Sequence, residues 1–337
     1  MIRRLLLGLL CAAFGAALIP TLPRASAATI WTIRAGSSRD DQALQALLFL
    51  PKAVTINEGD TVQWAVGASD HTIYFPAGQQ PPDLIVPGTT KNELLWNPAV
   101  VLPTPTKTYD GIGPLSGGVL SSADPKAPKR YAVTFTKAGT YTYLCMFHPG
   151  MEGTITVRTA GSPHPRTQAE YDQIAAQESK AALARAEALR ASNKPVVRGT
   201  AGKRTYTLDL VGTARDPVSL YRFPAQRLEV RRGETVNWVM KDPGEMHTVT
   251  FGARDPFEVM TMKPQPQGPP LMLVNQRSMN PAGGKIHTGA GFYNSGFMFA
   301  TGPGVRRYTL TFTRPGTYQY ECTTHDMFGM RASIVVR

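Results

Sequence analysis

Two similar stretches of sequence show how this chain is built: residues 131–148 read YAVTFTKAGTYTYLCMFH, and residues 308–325 read YTLTFTRPGTYQYECTTH. Ten of the 18 aligned positions are identical, including the cysteine and the final histidine of each stretch. Upstream, EGDTVQW at 58–64 corresponds to RGETVNW at 232–238, and a His-Thr pair follows each of them. Because these features recur in one order over more than a hundred residues, they indicate two copies of one domain and not a short solenoid repeat.

Each copy has the pattern of short β-strands. Apolar residues alternate with polar ones on both sides of the turn at 58–60, and again around Gly233, as expected for half-buried strands. Short strands separated by Gly and Pro turns predict an antiparallel β-sandwich for each copy. The 337 residues are 42% hydrophobic and 18% charged, which allows two buried cores and excludes a disordered chain.

Residues 1–27 have the pattern of a signal peptide. Two arginines at 3–4 precede an apolar run over 5–19, and residues 25–27 read ASA, which suits signal cleavage. We therefore predict an exported protein, periplasmic or extracellular, that is cleaved near Ala27. Retention as an uncleaved anchor is the alternative, and the choice between Sec and twin-Arg export stays open.

A helix-forming segment separates the two copies. Residues 167–192 are rich in Ala, Glu, Gln and Arg, and Thr167 with Glu170 forms a capping-box pattern. Because the apolar stripe of this helix is thin, we favour a solvated spacer over a helix packed across both domains. The predicted division is a signal peptide at 1–27, one domain at 28–160, a linker at 161–202 and a second domain at 203–337.

Each copy also contains residue types that together bind copper. The two candidate ligand sets are His71, Cys145, His148 and Met151 in the first copy and His247, Cys322, His325 and Met330 in the second. Two imidazoles and a thiolate with a weak axial thioether form the ligand set of a blue, type 1 copper site. We predict two such coppers per chain, no other cofactor and no catalytic residues. A disulfide between the two cysteines is the alternative in an oxidising compartment.

Both copies resemble the cupredoxins, the plastocyanin, azurin and amicyanin group of small blue copper proteins. The resemblance rests on the upstream His, the G-[DE]-T-V-x-W and GTYxYxC strands, and the spacing C-x2-H-x2-M in the first copy and C-x2-H-x4-M in the second. It covers most of residues 28–160 and 203–337. It implies an all-β protein of two tandem Greek-key β-sandwich domains. It also implies that Met330, and not Met327, is the axial ligand in the second domain.

Two features depart from the cupredoxin pattern. Thr72 and Thr248 follow the first ligand His, where plastocyanin and azurin carry an Asn that braces the ligand loops. Long inserts, about residues 76–128 and 252–304, separate that His from the downstream strand. The sequence assigns no role to the inserts.

The resemblance implies a carrier of single electrons. A redox partner would dock where the ring edge of His148 or His325 reaches the surface. Apolar patches would surround these edges, formed by Met146, Phe147, Pro149 and Met151 in the first domain and by Met327 and Phe328 in the second. The net charge of +12 favours partner proteins with acidic surfaces. We expect no nucleic-acid partner; peripheral membrane association and oligomeric state stay open.

An enzymatic role is disfavoured by the histidines. Multicopper oxidases and copper nitrite reductases have a His directly before the blue-copper Cys, whereas Leu144 and Glu321 occupy that position here, and no H-x-H occurs. His164 and His287 remain unassigned, and we expect them on the surface. We therefore predict no oxidase or nitrite reductase activity. The alternatives to an electron carrier are a copper-delivery protein and an oxidase or nitrite reductase-like subunit.

Overall fold

The computed structural model describes residues 28–39, 41–252, 259–302 and 304–337. The predicted signal peptide, residues 1–27, lies outside this part of the chain. Among the described residues, none of the helices combines the length and the hydropathy that crossing a membrane requires.

The first domain contains strands β1 to β12 and a short helix α1. Their bounds are β1 Ile30–Ser38, β2 Leu44–Leu50, β3 Ala53–Asn57, β4 Thr61–Val66, β5 Asp70–Phe75, β6 Ile85–Pro87, β7 Leu94–Trp96, α1 Pro98–Val101, β8 Thr108–Tyr109, β9 Leu115–Ser121, β10 Arg130–Phe135, β11 Gly139–Leu144 and β12 Glu152–Arg158.

A long helix, α2 Gln168–Ser192, leads to the second domain, which contains strands β13 to β26, a helix α3 and a short 3-10 helix. Their bounds are β13 Val196–Arg198, β14 Thr205–Val211, β15 Val218–Leu220, β16 Arg227–Val230, β17 Thr235–Lys241, β18 Thr250–Phe251, β19 Met260–Lys263, β20 Leu271–Val274, α3 Gln276–Met279, β21 Pro281–Ala282, β22 Ile286–His287, β23 Tyr293–Ser295, β24 Arg307–Phe312, β25 Gly316–Glu321, 3-10 helix Asp326–Phe328 and β26 Arg331–Val336.

Both domains are two-sheet sandwiches, as predicted. The sheets have the strand orders β15-β2-β1-β4-β10-β8 and β3-β12-β11-β5-β9 in the first, and β13-β14-β17-β24-β22 and β16-β26-β25-β18-β23-β21 in the second. The sheets are mixed and not purely antiparallel: β1 pairs parallel with β4, and β14 pairs parallel with β17. Between β1 and β4 the chain crosses to the other sheet through β3 and returns, which allows a parallel pair.

Matching aromatic residues fill the two cores. Trp64 and Trp238, from the repeated TVxW strands, are fully buried. The Trp64 ring lies 5.2 Å from that of Tyr143, and the Trp238 ring lies 5.4 Å from that of Tyr320, both edge-on. The strand that leads to each ligand Cys is thus anchored in its core by a tyrosine two residues before the thiol.

Helix α2 packs across both domains, so the favoured prediction of a solvated spacer is wrong. Thr167 and Glu170 form the predicted capping box. The buried face of the helix is a stripe of small residues, including Ala175, Ala182 and Ala186, that packs against β2 of the first domain and β15 of the second. Small side chains let a helix approach a sheet closely, and a search for large apolar residues misses such a stripe.

Strand β2 connects the core of the first domain to this helix. Its sequence LQALLFL is buried at every position. Leu47 and Phe49 face the core of the first domain, whereas Leu44, Ala46, Leu48 and Leu50 face α2 and β15. Because β15 pairs with β2, a strand of the second domain extends a sheet of the first.

The two long inserts also join the domains. Strands β6 and β7 of the first insert and β19 and β20 of the second form one four-stranded sheet, in the order β19-β20-β7-β6. Leu95 of β7 pairs with Leu273 of β20 across the domain boundary. An apolar cluster that includes Trp96 and Phe297 packs beside this sheet. The inserts therefore hold the two sandwiches in one fixed arrangement.

Candidate metal centres

The first ligand set converges at one end of the first sandwich. His71 lies on β5, Cys145 follows β11, and His148 lies in the turn that leads to β12. The Nδ1 atoms of the two histidines are 3.0 Å apart. Cys145 Sγ lies 3.3 Å from His148 Nδ1 and 3.8 Å from His71 Nδ1. All three side chains are buried.

The second domain repeats this geometry. The Nδ1 atoms of His247 and His325 are 3.1 Å apart. Cys322 Sγ lies 3.4 Å from His325 Nδ1 and 3.6 Å from His247 Nδ1. Among the described residues, these two sets are the groups of three or more His, Cys, Asp or Glu whose ligand atoms all lie within 4.8 Å of one another.

The two methionines close the ligand loops. Met151 and Met330 are fully buried. The Cys145 N–H donates to the Met151 carbonyl at 2.9 Å, and the Cys322 N–H donates to the Met330 carbonyl at 3.0 Å. Met327, the competing axial candidate, has 58% of its surface exposed. The axial role of Met151 and Met330 stays a prediction.

Threonine hydroxyls brace the ligand loops where plastocyanin and azurin use Asn. The Thr72 hydroxyl accepts from the Met146 N–H at 2.7 Å, and the Thr72 N–H donates to Cys145 Sγ at 3.4 Å. In the second domain, the Thr248 hydroxyl accepts from the Thr323 N–H at 2.8 Å. The Thr248 N–H donates to Cys322 Sγ at 3.2 Å. Each Thr thus ties the upstream His to the Cys loop and offers a hydrogen bond to the sulfur.

Replacing Thr72 with valine is expected to lower the free energy of unfolding of the metal-free protein by about 1–3 kcal/mol, because the Met146 N–H loses its acceptor. Urea unfolding measures this loss. Thr72→Ser is the matched control: it keeps the hydroxyl but removes a buried methyl group, so it should lose only about 0.8 kcal/mol. A valine variant as stable as the unmodified protein would show that the hydroxyl does not brace the loop.

Both cysteines are free and buried, so the alternative of a disulfide between them is excluded. Burial raises the pKa of the Cys145 thiol, but His148 and His71 lower it by more, and the pKa lies well below its usual range. The same causes, with His325 and His247 as partners, hold the pKa of Cys322 well below its usual range. Both cysteines therefore favour the thiolate, which is the form that binds metal.

The donor sets fit copper. Two imidazole nitrogens and a thiolate converge in each domain, with a buried methionine on the same loop. Soft sulfur together with imidazole suits Cu(I) and Cu(II), whereas carboxylate-rich sets suit Mg²⁺ and Ca²⁺. Hydrogen bonds from the sandwich and within each loop hold these donors together.

The downstream histidines do not reach the surface, contrary to the sequence prediction. His148 is 3% exposed and His325 is 5% exposed. The outer ring nitrogens of both histidines are directed at one carboxylate of the second domain, because the inserts and α2 hold the two domains together. Glu245 lies between them, with Oε2 2.9 Å from His148 Nε2 and Oε1 3.6 Å from His325 Nε2.

Most of the predicted docking patches are covered as well. Met146 and Phe147 pack against the apolar cluster between the inserts. Phe328 is buried and packs against the ring of Tyr221. Pro149 and Met327 remain exposed. The fixed arrangement of the two domains therefore removes most of the apolar surface expected beside each site.

The two unassigned histidines lie outside both ligand sets. His287 is 3% exposed and sits among aromatic rings, including those of Tyr318 and Tyr293, so its predicted surface position is wrong. His164 is partly buried, and its Nε2 lies 2.7 Å from Asp60 Oδ2. His287 thus packs within the second domain, whereas His164 ties the start of the linker to the first domain.

Glu245 is the site residue that sequence reasoning missed. It stands two positions before the ligand His247, and the corresponding residue of the first repeat is Ser69. The only signal was an acidic residue two positions before a ligand His. Its role depends on the packing of one domain against the other, which the repeat alone does not reveal.

A family model and solved structures match parts of this chain. Residues 124–158 and 211–337 match the family model of copper binding proteins of the plastocyanin/azurin family. An oxidised amicyanin variant is 22% identical over 38% of this chain and 82% of its own length, with a TM-score of 0.23. A reduced Cu(I) amicyanin variant at pH 4 is 24% identical over 43% of this chain and 90% of its own, also with a TM-score of 0.23. No curated protein matches the sequence.

Proposed function

Because the chain carries two tandem domains of the plastocyanin/azurin type, each with a set of ligands for one type 1 copper, we propose that it is an exported carrier of single electrons between redox proteins. The observation that carries this proposal is the buried convergence of two imidazoles and one thiolate in each domain. Export rests on the sequence pattern of residues 1–27.

Copper in these sets would alternate between Cu(I) and Cu(II) and so hold or release one electron. The chain supplies a site that changes little when it does so. Cys145 and His148 share one short loop closed by the backbone bond to Met151, and Thr72 ties that loop to β5. A preformed, dry site of this kind lowers the cost of rearrangement and keeps water from the metal.

Acidic redox proteins fit the chain as partners. The net charge, +12 for the full sequence and +9 without residues 1–27, favours encounter with negatively charged surfaces. Met327, two residues after His325, is 58% exposed and belongs to the apolar patch predicted beside the second site. We propose that the partner docks at this second site, where the long side chain of Met327 remains accessible; Pro149, beside the first site, is exposed too but is smaller.

Copper delivery is the alternative function. It requires that the metal leave its site readily. Cys145, His148 and Met151 are at most 3% exposed, and their loop is tied by hydrogen bonds to its neighbours. Release would require opening of the domain interface. The burial of the donors therefore favours a protein that carries electrons over one that delivers copper.

The proposal is tested on the mature protein loaded with copper. We expect two coppers per chain, one electron accepted per copper in a reductive titration, and no steady turnover of a phenol with oxygen or of nitrite. Metal-free protein run in parallel controls for non-specific copper. Steady turnover of either substrate, or rapid transfer of copper to a weak chelator, would favour an enzyme or a delivery protein instead.

A further inference from the structure

One carboxylate contacts ligand histidines from both domains. Glu245 lies after β17 and is 7% exposed. Its Oε2 is 2.9 Å from His148 Nε2 in the first domain, and its Oε1 is 3.6 Å from His325 Nε2 in the second. Since each of these rings turns Nδ1 toward its own Cys, both outer ring nitrogens are directed at the same carboxylate.

Further hydrogen bonds hold this carboxylate in place. The Tyr221 hydroxyl lies 2.9 Å from Oε2, and the Met246 N–H donates to Oε1 at 2.9 Å. Ser69 Oγ of the first domain lies 2.8 Å from the Tyr221 hydroxyl. The Tyr221 ring also stacks on that of His325, with the centroids 3.9 Å apart. A buried charge is costly unless it is paired and hydrogen-bonded, and here every oxygen has partners.

The bridge is specific to the domain interface. Ser69 and Glu245 occupy corresponding positions of the two repeats, each two residues before the upstream ligand His. The structure brings them together through Tyr221, so the two ligand sets face each other. A ligand His usually has a carboxylate or carbonyl partner that sets its orientation, but here one carboxylate serves two metal sites.

We propose that Glu245 is a positioning residue shared by both copper sites, and that it completes the path by which an electron crosses from one domain to the other. This inference rests on the proposed function. The path runs from Cys145 and His148 through Glu245 to His325 and Cys322. With copper held by both ligand sets, one electron would pass from the reduced set to the oxidised one, so one centre would be oxidised as the other is reduced. No external reagent is consumed.

The first test measures metal affinity, with Zn²⁺ as the probe. Each site is isolated by removing the other with Cys322→Ser or Cys145→Ser, and Glu245→Gln is added to both backgrounds. Because loss of such a partner weakens metal binding about 10–100-fold, we expect affinity to fall at least tenfold at both sites. The matched control is Glu234→Gln, a buried glutamate bonded to Tyr206 and to the backbone of Arg231, which should change neither affinity.

The second test measures electron exchange between the sites. Fully oxidised, two-copper protein is given less than one electron per chain, and the redistribution is followed by freeze-quench EPR. The single-site variants supply reference spectra. We expect Glu245→Gln to slow the concentration-independent phase at least tenfold. Glu245→Asp keeps the charge but is one methylene too short to reach both rings, so it should slow this electron exchange as well. If the glutamine variant does not fold, the aspartate variant tests the inference in its place.

Unchanged internal transfer in the folded variant, or a loss of Zn²⁺ affinity confined to one site, would overturn the inference. In either case the unmodified protein would still bind two coppers and accept two electrons, so the proposed function would stand. Absence of blue copper from the unmodified protein would instead remove the proposed function itself.

Discussion

Cys145→Ser is expected to remove one of the two coppers and about half of the absorption near 600 nm, the usual region of a thiolate-to-Cu(II) band. A serine hydroxyl is neither soft nor readily ionised, so the remaining imidazoles cannot reproduce the strong sulfur bond. Cys322→Ser should have the same effect on the second site. Copper analysis together with a visible spectrum of each purified variant measures both changes.

The double variant is the control for this experiment, and it should be colourless. The prediction also separates two sites from one shared site, because the two sulfurs lie in separate donor sets. Loss of all colour on replacing either cysteine would indicate a single shared centre. Full colour after one replacement would mean that the corresponding domain does not hold a blue copper.

The ligand sets could be predicted because most of their members lie close together along the chain. Cys145, His148 and Met151 stand within seven residues of one another, and His71 follows a recognisable strand. Repetition of the same order in the second half adds an independent instance of the pattern. The sandwich architecture followed from the alternation of apolar residues, which depends only on strand geometry.

Features of the domain interface were not predictable in the same way. The buried strand LQALLFL at Leu44–Leu50 carries no alternation because it is covered on both faces, by a core and by α2. The stripe Ala175, Ala182 and Ala186 is apolar only in the weak sense that small side chains are. The strand and the alanine stripe can both be interpreted only when the surface that each one packs against is known.

The exposure of the ligand histidines was mispredicted for the same reason. A single domain considered by itself has no neighbour over its ligand loops, so an exposed ring edge is the natural expectation. Here β15 joins the sheet of the first domain, and β20 pairs with β7. These pairings place His148 and His325 on either side of Glu245. The arrangement of the domains, and not the fold of either one, thus determines whether each ligand His is exposed and what it contacts.

Ala182→Glu is expected to lower the free energy of unfolding of the metal-free protein by about 3 kcal/mol or more, and to loosen the two domains from each other. Ala182 is fully buried where α2 packs against β2 and β15. A glutamate there must either bury an unpaired charge or push the helix from the sheet. Urea unfolding measures the stability, and limited proteolysis within 193–202 reports the loosening.

Ala181→Glu is the matched control, because Ala181 is exposed on the same helix and its replacement should cost at most about 0.5 kcal/mol. Equal effects of the two substitutions would mean that the helix is a solvated spacer after all, and that the inserts alone hold the two copper sites face to face.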